Sequence, residues 1–93
     1  MRVLIVDDSA GVARFLADTA RLFKAEHVDQ ASSGEEALAF ATRMTYDLVT
    51  LDIRMPGVTE LDILSLVRSL CPHASDRDYF RVAHGRRRFA ECG

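Results

Sequence analysis

Val3-Leu4-Ile5-Val6-Asp7-Asp8 is the stretch that decides the fold. Four consecutive apolar residues without alternation read as a short strand buried on both faces, the habit of parallel sheets. The run ends on two carboxylates. A second run, Leu48-Val49-Thr50-Leu51, ends on Asp52, and Met55-Pro56-Gly57 follows closely. Ligand sites of open α/β sheets lie at the carboxyl ends of their strands. If the two strands are neighbours, three carboxylates converge on one pocket and repel each other by on the order of several kcal/mol. A hard divalent cation with oxygen ligands is the natural counterweight.

Outward from these runs the chain alternates between strand and helix. Ser9 or Asp8 caps a helix over about 10–24, with Val12, Phe15, Leu16, Ala20, Leu22 and Phe23 as its apolar stripe. His27-Val28-Asp29-Gln30-Ala31 reads as a second strand. Ser32 or Ser33 caps a helix at about 34–44, where Ala37, Leu38, Phe40 and Ala41 face inward. Glu35 and Glu36 fall in its first turn, which the helix dipole favours. Residues 47–52 form the third strand, Pro56-Gly57 a turn, and 59–70 a third helix with Leu61, Leu64, Leu66, Val67 and Leu70 as its apolar face. Such alternation implies a parallel sheet with right-handed crossovers.

Composition narrows the function. The chain has 93 residues, enough for one modest domain, and a net charge of −2, which argues against generic binding to nucleic acid or acidic membranes. It shows no apolar stretch of membrane-spanning length and no signal-peptide pattern. Cys71 and Cys92 lack metal-ligand spacing and read as reduced thiols of a cytoplasmic protein. His27, His73 and His84 show no ligand spacing either, and Arg86-Arg87-Arg88 reads as a solvated basic tail.

Three pieces together resemble the receiver domain of two-component response regulators: Val-Leu-Ile-Val-Asp-Asp-Ser at 3–9, Ala-Ser-Ser-Gly-Glu-Glu-Ala-Leu at 31–38, and Tyr-Asp-Leu-Val-Thr-Leu-Asp-Ile-Arg-Met-Pro-Gly at 46–57. The resemblance covers residues 1–70 as a partial receiver domain and leaves 71–93 as an atypical tail. It implies a flavodoxin-like (CheY-like) parallel sheet with flanking helices, in strand order 2-1-3-4-5, of which the first three strand-helix units are present and the fourth and fifth missing or replaced. It makes Asp52 the phosphoacceptor. It gives Mg²⁺ the ligands Asp7, Asp8, Asp52 and the backbone carbonyl of Arg54. It implies a histidine kinase or phosphotransfer protein as partner, in the cytoplasm, and an acceptor of phosphoryl groups rather than a conventional turnover enzyme. An Asp-Asp pair after a strand is also a plain helix cap, and a non-catalytic receiver remnant acting as an interaction module is the alternative to an active phosphoacceptor. A different Mg²⁺-dependent phosphotransfer enzyme would need a general acid or substrate pocket, for which the sequence offers no candidate.

Departures from the family pattern concentrate after residue 70. The hydroxyl residue ending a fourth strand and the Lys ending a fifth are absent, and Glu60 stands at a loop position where the family often has Gly, which strains or reshapes that turn. Only 79–83, Tyr-Phe-Arg-Val-Ala, looks like a strand. With the last two units gone, the third strand becomes an edge that 79–83 covers as a makeshift strand, or that a second copy pairs with to form a homodimer.

A shifted reading frame accounts for the tail. Back-translated and read one base later, Asp76 to Arg81 admits Ile-Val-Ile-Thr-Ser-Gly, and the stretch from His84 admits Thr-Val-Asp-Asp-Ala-Leu. The first has the form of a buried strand ending in a hydroxyl residue, the second of a helix start. A natural short variant with an unrelated tail is the alternative. The coding sequence decides: a base gained or lost near codons 71–75 is expected, and a shifted frame that does not read as a receiver continuation overturns the idea.

Overall fold

The computed structural model describes residues 1–52, 59–70, 81–84 and 87–91. Its elements are β1 (Arg2–Val6), α1 (Ala10–Leu22), β2 (His27–Ala31), α2 (Gly34–Ala41), β3 (Leu48–Asp52), α3 (Glu60–Leu70), β4 (Arg81–His84) and β5 (Arg87–Glu91). They build one sheet in the order β2-β1-β3-β5-β4. β1 lies between β2 and β3 and is parallel to both, with Val3 opposite Leu48 and Val6 opposite Leu51. The three strand-helix units and their order agree with the flavodoxin-like reading.

Both faces of the central strands are buried, as their unbroken apolar runs require. Successive side chains of a strand point to opposite faces. Leu4 and Val6 therefore pack with Val49, Leu51 and Ala31 under α2 and α3, where Ala37, Leu66 and Leu70 close the core. Val3 and Ile5 pack on the other face against Ala13 and Ala17 of α1.

The helices begin where the sequence places their caps. Ser9 Oγ accepts from the Val12 N–H at 3.4 Å, and Ser33 Oγ accepts from the Glu36 N–H at 3.1 Å. α3 carries a reciprocal pair: the Asp62 carboxylate accepts from the Thr59 N–H at 2.9 Å, and the Thr59 hydroxyl accepts from the Asp62 N–H at 3.1 Å. These bonds hold the Asp62 carboxyl below its ordinary range. α1 stops at Leu22 rather than near 24 because Lys24 turns left-handed, at φ 67°. Glu60 is the first residue of α3, and the turn before it, which it was expected to strain or reshape, lies outside the described residues.

The helix faces differ from the sequence reading in one systematic way. α1 buries Ala13 and Ala17, whereas Val12, Phe15, Leu22 and Phe23 are exposed, Phe15 at 68% and Leu22 at 83%. Small residues let the helix sit close on β1, and the larger apolar residues are left on its flank. Leu38 of α2 and Leu61 of α3 are likewise exposed rather than inward-facing. The side chains of Leu64 and Val67 lie outside the described residues.

The tail is where the architecture departs most from expectation. β3 does not end as an open edge. β5 pairs with it antiparallel, Leu48 opposite Glu91 and Asp52 opposite Arg87, and β4 pairs antiparallel with β5. The strand placed at 79–83 is found at Arg81–His84, outermost in the sheet, while the strand covering β3 is Arg87–Glu91, which had read as a basic run. Unpaired backbone groups along β3 accept a strand through main-chain hydrogen bonds, with little regard to side-chain type. Cys71, His73, Tyr79, Phe80, Arg86 and Cys92 lie outside the described residues.

A polar tie closes the amino end of the sheet. The Tyr46 hydroxyl donates to the Asp29 carboxylate, and the same oxygen lies 2.9 Å from Nε2 of His27. Tyr46 is buried, and burial followed by the Asp29 bond pushes its phenol far above the ordinary value of 10.0. A phenol raised on folding contributes stability that is complete below its unfolded value and is lost as pH rises above it. Tyr46→Phe is expected to cost about 1.5–3 kcal/mol in denaturant unfolding, the range for a bond to a charged group, and to flatten the loss of stability above pH about 10.

Candidate metal centre

The matched registers of β1 and β3 bring both strands to an end at one level of the sheet. Asp7 and Asp8 leave β1 there, and Asp52 is the last residue of β3. One carboxylate oxygen from each of the three lies within 4.8 Å of the others. Asp7 is 2% exposed, Asp52 8%, and Asp8 faces solvent. The sequence-predicted trio is thus brought together. The carbonyl of Arg54 and the Met55-Pro56-Gly57 turn lie outside the described residues.

Asp7 is held by the start of α1. Its Oδ1 accepts the Ser9 N–H at 2.8 Å, and its own N–H donates to the Ala31 carbonyl of β2 at 2.9 Å. The pair Asp7–Ser9 therefore spans the junction between strand and helix cap, and the cap-only role proposed for an Asp-Asp pair falls instead to Ser9. A cleft of about 220 Å³ opens beside the two aspartates, walled by Gln30, Ser32 and Glu36, with the Ser32 hydroxyl donating to Glu36 at 2.9 Å. Sequence reasoning offered Ser32 as a helix cap and placed Glu36 in the first turn of α2. Their place on the wall follows from β2 and β1 ending side by side, Ala31 opposite Val6.

Two like charges 4.8 Å apart repel by about 3 kcal/mol at an effective dielectric of about 20. The buried pair Asp7 and Asp52 feels this most, because solvent screens Asp8. Three hard oxygen donors that lie this close together, two of them from the cleft-lining Asp7 and Asp8, fit a small divalent cation, whose remaining ligands would be water and backbone carbonyls. The cluster can therefore hold a metal. A cavity of about 550 Å³ between α2 and α3 is lined by Ser33, Glu35, Leu38, Asp62, Ser65 and Ser69 among others and includes none of the three aspartates.

Three parallel strands flanked by helices on both faces, with an acidic cluster where β1 and β3 end, are consistent with a flavodoxin-like domain. The chain belongs to the response regulator receiver domain family, whose model matches residues 3–75. Domains of this family act in phosphorelay signalling. The chain is 42% identical over 72 residues to a protein-glutamate methylesterase/protein-glutamine glutaminase of Archaeoglobus fulgidus, covering 77% of this chain and 21% of that protein. It is 34% identical over 73 residues to the chemotaxis protein CheY of Thermotoga maritima, covering 78% and 61%, and 33% identical over 70 residues to the transcriptional regulatory protein ResD of Bacillus subtilis, covering 72% and 28%. It thus spans less than two thirds of each. Among the described residues no helix is long and apolar enough to cross a membrane.

Removing one charge tests the cluster directly. Asp7→Asn keeps the oxygen that accepts from Ser9. It is expected to raise metal-free stability by about 1–3 kcal/mol through relieved repulsion and to remove the rise in Tm that added Mg²⁺ gives the unsubstituted protein. Equal Tm gains with Mg²⁺ in both proteins would exclude Asp7 as a ligand.

Proposed function

We propose that this protein accepts a phosphoryl group on Asp52, with Mg²⁺ held by Asp7, Asp8, Asp52 and the backbone carbonyl of Arg54. The observation that carries the reading is the convergence of the three carboxylates within 4.8 Å at the ends of β1 and β3. Asp52 is the group at the strand end and nucleophile of the reaction. One of its carboxylate oxygens forms a bond to the donor phosphorus while the bond between phosphorus and the donor's leaving group breaks. The leaving group departs with its electron pair: an imidazole from a phosphohistidine, or a carboxylate from a small acyl phosphate. Such a transfer needs positioning and charge neutralisation above all. Mg²⁺ supplies the neutralisation. The protein's part is to hold Asp7 in place through Ser9 and to keep Asp52 buried and aimed by β3.

The phosphoryl donor is a histidine kinase or a phosphotransfer protein in the cytoplasm. The relatives join receiver sequence to other lengths of chain, and any output of this protein runs through a partner or a further segment. Its activity is impaired relative to a receiver with five parallel strands. The sequence after β3 offers neither the hydroxyl residue nor the Lys of the family pattern, and each donor of that kind is worth a few kcal/mol of transition-state stabilisation. β5 pairs with the edge through which a homodimer was foreseen, so self-association by that route requires β5 to leave.

Intact mass after incubation with acetyl phosphate tests the reading. A gain of one phosphoryl group is expected with Mg²⁺, none with a chelator, and none in Asp52→Asn under either condition. Folded protein that gains nothing in Mg²⁺ would leave the receiver remnant, a binding module without transfer, as the function.

A further inference from the structure

The strand that pairs with β3 carries two residues of the densest positive run of the chain. Arg86-Arg87-Arg88 holds three of its 12 Lys and Arg residues, far from the aspartates in sequence. β5 runs antiparallel to β3, so it starts at the end where β3 finishes. The register sets Arg87 opposite Asp52 and Arg88 opposite Leu51. β4 continues the row, with His84 opposite Arg87. Directly opposed residues of an antiparallel pair have Cα atoms about 4.5–5.5 Å apart. The last residue of β3, the reacting one in the proposed function, therefore has a cationic residue as its immediate cross-strand neighbour.

Charge arithmetic gives this placement a consequence. Three carboxylates and one divalent cation leave a net charge of −1, and a phosphoryl group brings further negative charge to the same place. A cationic residue at the paired register position assists that arrival, because transfer depends on stabilising charge on the equatorial oxygens. The same charge opposes the metal, since it competes for the carboxylates. A cation at this position therefore acts with opposite sign on the two ligands of the site.

We propose that Arg87, brought opposite Asp52 by the antiparallel β3–β5 ladder, is the cationic group of the site: it promotes phosphoryl transfer to Asp52 and weakens Mg²⁺ binding. The inference rests on the proposed function: its first half on phosphoryl transfer to Asp52, its second on Mg²⁺ binding at the three aspartates. A tail that breaks the family pattern in sequence then restores, from the opposite chain direction, the positive charge of the Lys that this chain lacks. Arg88, opposite Leu51, has no such role and serves as the control.

The test compares Arg87→Gln, Arg87→Lys and Arg88→Gln in the full chain, each shown to be folded by circular dichroism. Mg²⁺ affinity is measured with the metal alone by calorimetry, and the phosphorylation rate with acetyl phosphate by intact mass. Arg87→Gln is expected to slow phosphorylation about ten-fold or more and to tighten Mg²⁺ binding by about two- to five-fold. Arg87→Lys should keep both values near the unsubstituted protein, and Arg88→Gln should move neither. Opposite signs in Arg87→Gln cannot arise from loosened structure, which weakens both. A parallel fall of both quantities, or equal behaviour of Arg87→Gln and Arg88→Gln, overturns the proposal. If the unsubstituted protein takes up no phosphoryl group, the proposed function fails and the metal titration decides alone: tighter Mg²⁺ binding in Arg87→Gln sustains the charge contact, and unchanged binding ends it.

Discussion

Parallel pairing of β1 with β3 is the constraint from which the rest of the molecule follows. Val6 stands opposite Leu51, so the two strands run out together, and the carboxylates that come next have no choice but to meet. Apolar packing sets this register. A slip of one residue would turn Val3 and Ile5 toward α2 and α3 and send Leu4 and Val6 to α1, exchanging the two cores. The energy that fixes the register comes from six large side chains that are almost wholly buried: Leu4, Ile5, Leu51, Val3, Val6 and Val49. Each contributes about 1.5–3 kcal/mol. The repulsion at the strand ends is small beside that sum, and the fold imposes it on the site.

The surroundings of the site show the same logic at lower cost. Ser9 caps α1 through its side chain and binds Asp7 through its backbone, so the helix start and the acidic side chain are positioned by one residue. α1 itself can approach β1 only because Ala13 and Ala17 face the sheet. Thr50 lies in the same layer, with its hydroxyl buried and without a hydrogen-bond partner among the described residues. Such a group costs about 1–3 kcal/mol, a local expense at the strand that carries Asp52.

How much of this could be read from sequence depended on which physical signal each feature uses. The strands β1 and β3, the caps Ser9 and Ser33, and the meeting of Asp7, Asp8 and Asp52 were legible because apolar runs and capping residues are local signals. The stripe of α1 was read half correctly: Leu16 and Ala20 do pack on the core beside Ala13 and Ala17, whereas Val12, Phe15, Leu22 and Phe23 are exposed. Hydrophobicity ranks side chains by transfer energy and is silent about how close a helix must sit. β5 was missed for a different reason. Arg87 and Arg88 carry no strand signature, and their place beside β3 answers a need of the partner strand's backbone, which no window on the tail contains. The roles of Ser32 and Glu36 in walling the cleft depend on two strand ends lying side by side, a relation between segments far apart in the chain.

The antiparallel hairpin of β4 and β5 has a further consequence for how the molecule opens. A parallel strand joined by a crossover helix is threaded into its sheet and leaves only when its helix is also lifted. β5 pairs with β3 through an antiparallel ladder, and among the described strands β4 pairs with β5. A strand pair added to a sheet edge by one ladder is the kind of unit that opens locally ahead of the strands behind it. Amide protons of Arg87–Glu91 then exchange with solvent through a low-energy opening, and those of β1 only through global unfolding. The half of the acidic pocket built by β1 and β3 outlasts the strand that flanks it.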